Sequence, residues 1–131
     1  MRTRIFQCAV ILAFLLCVGN AYAGVQVPAD MLLAAPQAMK AQKAEVPFSH
    51  NQHAKAGVEC KTCHHTWDGK AEVLKCSSSG CHDQPDKKDK MAFYKAFHGK
   101  DEHSCVGCHK AAKKAGNKLA PTACKACHVK K

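Results

Sequence analysis

The chain predicts a small fold of mainly irregular and α character, its short helices wrapped round bound groups, with a small β-hairpin near the N-terminus. Three observations lead there. After residue 23 the apolar residues are mostly alanine, cysteine and scattered valine, with few leucines or aromatics. No long helical or alternating stripe runs through them. Eight of the ten cysteines fall after residue 23 in four groups, and each second cysteine is followed directly by histidine. A chain of this size can fold unaided, but this one lacks the side chains for a core of its own.

The first 23 residues read as a cleaved export signal. Arg2 and Arg4 open a basic start, and Ile5 to Val18 is an apolar run broken only by Gln7. Ala21-Tyr22-Ala23 then gives the small-x-small pattern of a cleavage site. The run is shorter than the ~20 residues a spanning helix needs, and bulky Leu16 before Cys17 argues against lipid attachment there. Cleavage after Ala23 leaves residues 24–131 as one domain, exported to the periplasm and free of membrane insertion. Arg2 and Arg4 are the only arginines, so the exported part carries two positives fewer than the formal +10 of the whole chain. That lysine surplus favours acidic protein partners over nucleic acid, which an exported protein rarely meets.

The four groups are Cys60-Lys61-Thr62-Cys63-His64, Cys76 to Cys81-His82, Cys105-Val106-Gly107-Cys108-His109 and Cys124-Lys125-Ala126-Cys127-His128. On one helical turn, residues i and i+3 share a face and i+4 lies beside them. Two thiols so placed can add to the vinyl groups of a haem while the next histidine reaches the iron, and Cys-x-x-Cys-His is that attachment pattern. Disulfides, structural zinc and redox dithiols also use paired cysteines. None of them requires a histidine after every pair. With nine histidines in 131 residues, four such coincidences have a chance on the order of 10⁻⁵. Four covalently attached haem c groups are therefore expected. The wide spacer Ser77-Ser78-Ser79-Gly80 exceeds one helical turn, and Gly80 is expected to let the backbone loop out and return.

Each iron then needs a second axial ligand. His50, His53, His65, His98 and His103 remain for four positions. Met31, Met39 and Met91 stand in no arrangement that demands ligation, and a methionine near Phe93 and Tyr94 reads as packing. Two imidazoles per iron leave no open coordination position and give a lower potential than a Met/His pair. This favours low-potential electron transfer over catalysis, with no catalytic residues. His64 and His65 are adjacent, their Cα atoms about 3.8 Å apart, so irons bound to each lie within roughly 15 Å. His50 and His53 form a second short staple.

Val46-Pro47-Phe48-Ser49-His50-Asn51-Gln52-His53 resembles the V-x-F-x-H-x-x-H entry of the tetrahaem class III cytochromes c, the cytochrome c3 family. Cys63-His64-His65, the four-residue second spacer and Gly80-Cys81-His82-Asp83 match that family in order, and the likeness runs from about Val27 to the C-terminus. The resemblance implies ligand pairs His50 with His64, His65 with His82, His53 with His109, and His98 with His128. His103 is left as the spare, the alternative being that it replaces His98 on the fourth haem. It also implies that Phe48 packs between the first and third haems. The two-residue spacer between Cys124 and Cys127 departs from members with a wider fourth group, which blurs the subtype.

The same resemblance implies a monomeric electron carrier of sulfate-respiring metabolism, exchanging electrons with hydrogenase and membrane-bound redox complexes. Lys110, Lys113, Lys114, Lys118, Lys125, Lys130 and Lys131 would form its docking ring. The alternative is a terminal metal or sulfur reductase with an exposed haem. Among local elements, the pattern predicts a helix from about Lys90 to His98, capped by Asp89 and closed by Gly99, with Phe93, Tyr94, Phe97 and His98 inward. It predicts another over Cys105–Ala115 ending at Gly116, and a last turn opened by Pro121 and Thr122.

Overall fold

The computed structural model describes residues 27–129; the expected export signal lies outside them. Strand β1 (Met31–Leu33) pairs antiparallel with β2 (Val46–Phe48), placing Met31 opposite Phe48 and Leu33 opposite Val46. Both strands of a two-stranded sheet are edges, so Pro47 costs no ladder bond that a central strand would need. Five helices follow: α1 (His50–Lys55), α2 (Cys60–Cys63), α3 (Phe93–His98), α4 (Cys105–Lys114) and α5 (Cys124–Cys127).

Helix α1 begins where Ser49 accepts the Gln52 backbone N–H at 3.3 Å. It was not expected from the sequence, although Ser49-x-x-Gln52 has the spacing of a capping box. Helix α3 starts at Phe93 instead of Lys90. The Phe93 N–H donates to the Gln84 carbonyl at 2.9 Å and the Gln84 N–H to that of Met91 at 3.3 Å. Those bonds hold Ala92 extended, at φ −60° and ψ 131°, so it becomes the N-cap. Asp89 caps only the preceding turn, accepting the Met91 N–H at 2.7 Å. Tyr94 also departs from its predicted inward position and is 42% exposed. Phe93 meets Phe97 one turn on, while Tyr94 stacks on His98, so the four rings divide between two faces.

Helix α4 closes as expected, one residue early, with Gly116 at φ +102° beyond it. Ser104 caps its start. The hydroxyl accepts the Gly107 N–H at 3.1 Å and donates to the Asp101 carbonyl at 3.0 Å. Among the described residues only Ala92, Ser104, Gly107 and Ala120 are buried by protein atoms. Four small residues cannot offset the conformational entropy of a hundred. The polypeptide is a frame whose apolar interior must come from what it binds.

Candidate metal centres

Each Cys-to-His group closes on one repeated hydrogen bond. The His64 N–H reaches the Cys60 carbonyl at 2.9 Å, and the His128 N–H reaches Cys124 at 2.9 Å. In the wide second group the His82 N–H still reaches the Cys76 carbonyl, at 2.8 Å. The two extra residues are extruded in a turn where the Cys81 N–H bonds Ser78 at 2.9 Å and Gly80 takes φ +78°. That left-handed conformation is what glycine supplies without steric cost. Asp83 ties the loop down by accepting the Gly80 N–H at 2.9 Å.

The eight cysteines form no disulfides, and among the described residues no three side chains gather as a metal cage. Burial pushes the thiols of Cys63, Cys76 and Cys127 up. Cys105 is pushed up to about 11, by desolvation first and then by the neighbouring Cys63, Cys76 and Cys127. Cys105 is exposed, yet it stands among enough protein atoms to disfavour a thiolate. Reactive redox dithiols have lowered values, so Cys63, Cys76, Cys105 and Cys127 lack that character.

The histidines carry the decisive geometry. An iron held between two imidazole nitrogens at about 2.0–2.1 Å separates the ring centroids by roughly 6.3 Å. His53 and His109 lie 5.9 Å apart with planes at 15°. His98 and His128 lie 6.1 Å apart at 8°. His65 and His82 lie 6.2 Å apart at 58°. His50 is close enough to His64 for its positive charge to oppose protonation there, while burial is the larger cause holding His64 below the usual histidine range. Burial likewise lowers His98, with His128 and Lys87 adding to it. A neutral imidazole is the form that binds metal.

Backbone carbonyls set the tautomer. Nδ1–H donates to Ser49 from His53 at 2.8 Å, to Pro121 from His109 at 2.8 Å, to Ala44 from His128 at 2.7 Å and to Tyr94 from His98 at 3.3 Å. Each donation leaves Nε2 with its lone pair free for a metal, the arrangement that orients ligating histidines. His50 and His82 differ: their Nδ1 atoms are buried with no protein acceptor. Phe48 touches both histidines of α1, edge-on to His50 at 4.8 Å and tilted over His53 at 4.6 Å. Strand β2 thereby aligns both imidazoles.

His103, the spare, donates from Nδ1 to the Thr62 carbonyl at 2.9 Å and stacks on His65 at 5.1 Å and 29°. That separation is too short for an iron between the two rings. Its place against the second site was not legible beforehand.

A loop beside the first group offers a test in acid. Asp68 accepts the Ala71 and Lys70 N–H groups at 2.8 Å each, and these bonds, Ala71 first, hold its carboxyl below the usual range. The Trp67 indole donates to the Ala71 carbonyl at 2.7 Å in the same loop. A pKa lower in the folded chain stabilises fully above the unfolded value and is lost as pH falls through the folded one. NMR titration of the reduced protein should find Asp68 below the ~3.9 of a free aspartate, and Asp68→Asn should flatten the acid limb of stability.

Paired thiols beside paired imidazoles, repeated along a short chain with scarcely any core, describe a multihaem c-type cytochrome. Comparisons with known proteins agree. The model of the class III cytochrome C family matches residues 28–128. Cytochrome c3 of Maridesulfovibrio salexigens is 56% identical over 110 residues, covering 82% of this chain and 99% of that protein. Cytochrome c3 of Desulfovibrio desulfuricans is 50% identical over 108 residues, 81% of this chain and 99% of that one. The crystal structure of the di-tetraheme cytochrome c3 from Desulfovibrio gigas superposes with a TM-score of 0.69 at 37% identity, covering 78% of this chain and 96% of that chain. The chain belongs to the class III cytochrome c family, and it carries four covalently attached haem c groups as a multihaem electron carrier. No helix among the described residues is long and apolar enough to cross a membrane.

Proposed function

We propose that the chain is exported to the periplasm, cut after about Ala23, and carries electrons at low potential as one domain spanning residues 24–131. Its partners are a hydrogenase and membrane-bound redox complexes of sulfate-respiring metabolism. The haems supply one-electron chemistry; the chain attaches, orients and closes them. Cys60 with Cys63, Cys76 with Cys81, Cys105 with Cys108, and Cys124 with Cys127 form the thioether attachments. His50 with His64, His65 with His82, His53 with His109, and His98 with His128 hold the irons. The observation that carries this reading is the second imidazole facing His82, His109 and His128 at iron-spanning distance. Imidazole on both sides leaves substrate no inner coordination position and keeps the potential low.

Exposed Lys110, Lys113, Lys114, Lys118 and Lys125 crowd α4 and α5; Lys130 and Lys131 lie outside the described residues. A basic surface of this kind steers acidic partners into brief contacts that salt weakens. Stopped-flow mixing with hydrogen-reduced periplasmic hydrogenase should reduce all four haems, more slowly as ionic strength rises. Carbon monoxide should leave the native ferrous spectrum unchanged. A carbon monoxide adduct, or a rate indifferent to salt, would favour a terminal reductase with an exposed haem.

A further inference from the structure

We infer that His103 is a positioning residue that sets the ring plane of His65, and through it the electronic character of one haem alone. The inference rests on the ligand assignment above. Of three facing ring pairs, two are near-parallel, at 8° and 15°, whereas His65 and His82 are turned by 58°. Only the turned pair has another imidazole against it. His103 lies over His65 with centroids 5.1 Å apart and planes within 29°, so the His65 ring follows the His103 ring more closely than it follows His82.

His103 is itself held from two directions. Its Nδ1–H donates to Thr62, in the turn between Cys60 and Cys63, across 41 residues. Its backbone N–H donates to Asp101 Oδ1 at 3.1 Å, and the next residue is the buried Ser104 that caps α4. The side chain therefore ties to the first attachment group and the backbone leads directly into the cap of the third, while the ring face bears on the ligand beside the second. His103 also lines the cleft formed by Cys76, Cys81, His82 and His65. Outer contacts that orient a metal-bound imidazole are as much a part of a metal site as the ligand.

The angle between two axial imidazoles has a direct electronic consequence. Parallel rings donate π density into the same iron d orbital and split the d set strongly. Rings turned toward a right angle donate into both, which reduces the splitting and raises the largest g value of the low-spin ferric ion. The turned pair should therefore give a more anisotropic ferric signal than the two near-parallel pairs.

The test is electron paramagnetic resonance and redox titration of haem-loaded His103→Ala and His103→Phe, with haem counted by pyridine haemochrome. In His103→Ala one signal of four should move to a smaller largest g value, and one midpoint potential of four should shift. His103→Phe, which keeps a flat ring but loses the Thr62 bond, should move the same signal less. If both variants keep four haems and all four signals stay in place, the inference fails and the ligand assignment stands. If the ferrous form of either binds carbon monoxide, His103 is a ligand and the assignment itself fails.

Discussion

Gly107→Ala is expected to destabilise the haem-loaded protein by about 3 kcal/mol, although alanine is the better helix former. In an open helix the exchange would gain roughly 1 kcal/mol. Here an added Cβ would collide with the Asp101 carbonyl oxygen and would stand 2.8 Å from the Lys100 carbonyl carbon and 2.7 Å from Ser104 Oγ. Two of those atoms are backbone and cannot swing aside. Overpacking of this kind costs about 1–3 kcal/mol and sometimes more, and the cap bond from Gly107 to Ser104 is spoiled with it, for about another 1 kcal/mol. Denaturant unfolding followed by secondary-structure signal measures the difference. Lys110→Ala, on the exposed side of the same helix, should be nearly neutral. Equal stability of Gly107→Ala and the native protein would show that the 100–104 loop does not pack on α4 as described.

His98→Met is expected to raise the midpoint potential of one haem by on the order of 0.1 V, a fraction of the ~0.8 V over which axial ligands move haem potentials. The exchange replaces an imidazole donor with a thioether, which favours ferrous over ferric iron. His98 stands 6.1 Å from His128, carried by its stacking on Tyr94 at 4.3 Å and 7°. Lys87 lies over the Tyr94 ring, its Nζ 4.9 Å from the centroid, a cation–π contact of about 0.5–1 kcal/mol at an exposed site. Redox titration resolved by NMR in partly reduced samples would show one haem displaced. His103→Met supplies the contrast and should leave the haem bound by His128 where it was. A displacement of that haem by His103→Met, with none by His98→Met, would reverse the assignment.

Much of this was legible from residue order alone, for a chemical reason. Attachment of haem needs two thiols and an imidazole within a few residues, so the Cys60, Cys76, Cys105 and Cys124 groups announce themselves without any fold. The repeated closing bond from histidine N–H to the first cysteine carbonyl is equally local. Gly80 could be picked out for the same reason, since a six-residue loop returning to a fixed bond needs one residue with positive φ. The Ser49–Gln52 cap is local too.

What composition and order determined is the chemistry: four attachment groups, five imidazoles beyond them for four positions, too few large apolar side chains for a core, and a basic surface. What only the tertiary structure decided is orientation. The start of α3 moved to Phe93 because Gln84 pairs with residues on the far side of a loop. Gly107 is required by a carbonyl from another segment, and His103 meets Thr62 across 41 residues. The angles of 8°, 15° and 58° between facing imidazoles likewise belong to no single stretch of chain. Bond-forming chemistry depends on neighbours in sequence; ring planes, close approaches and buried caps depend on neighbours in space.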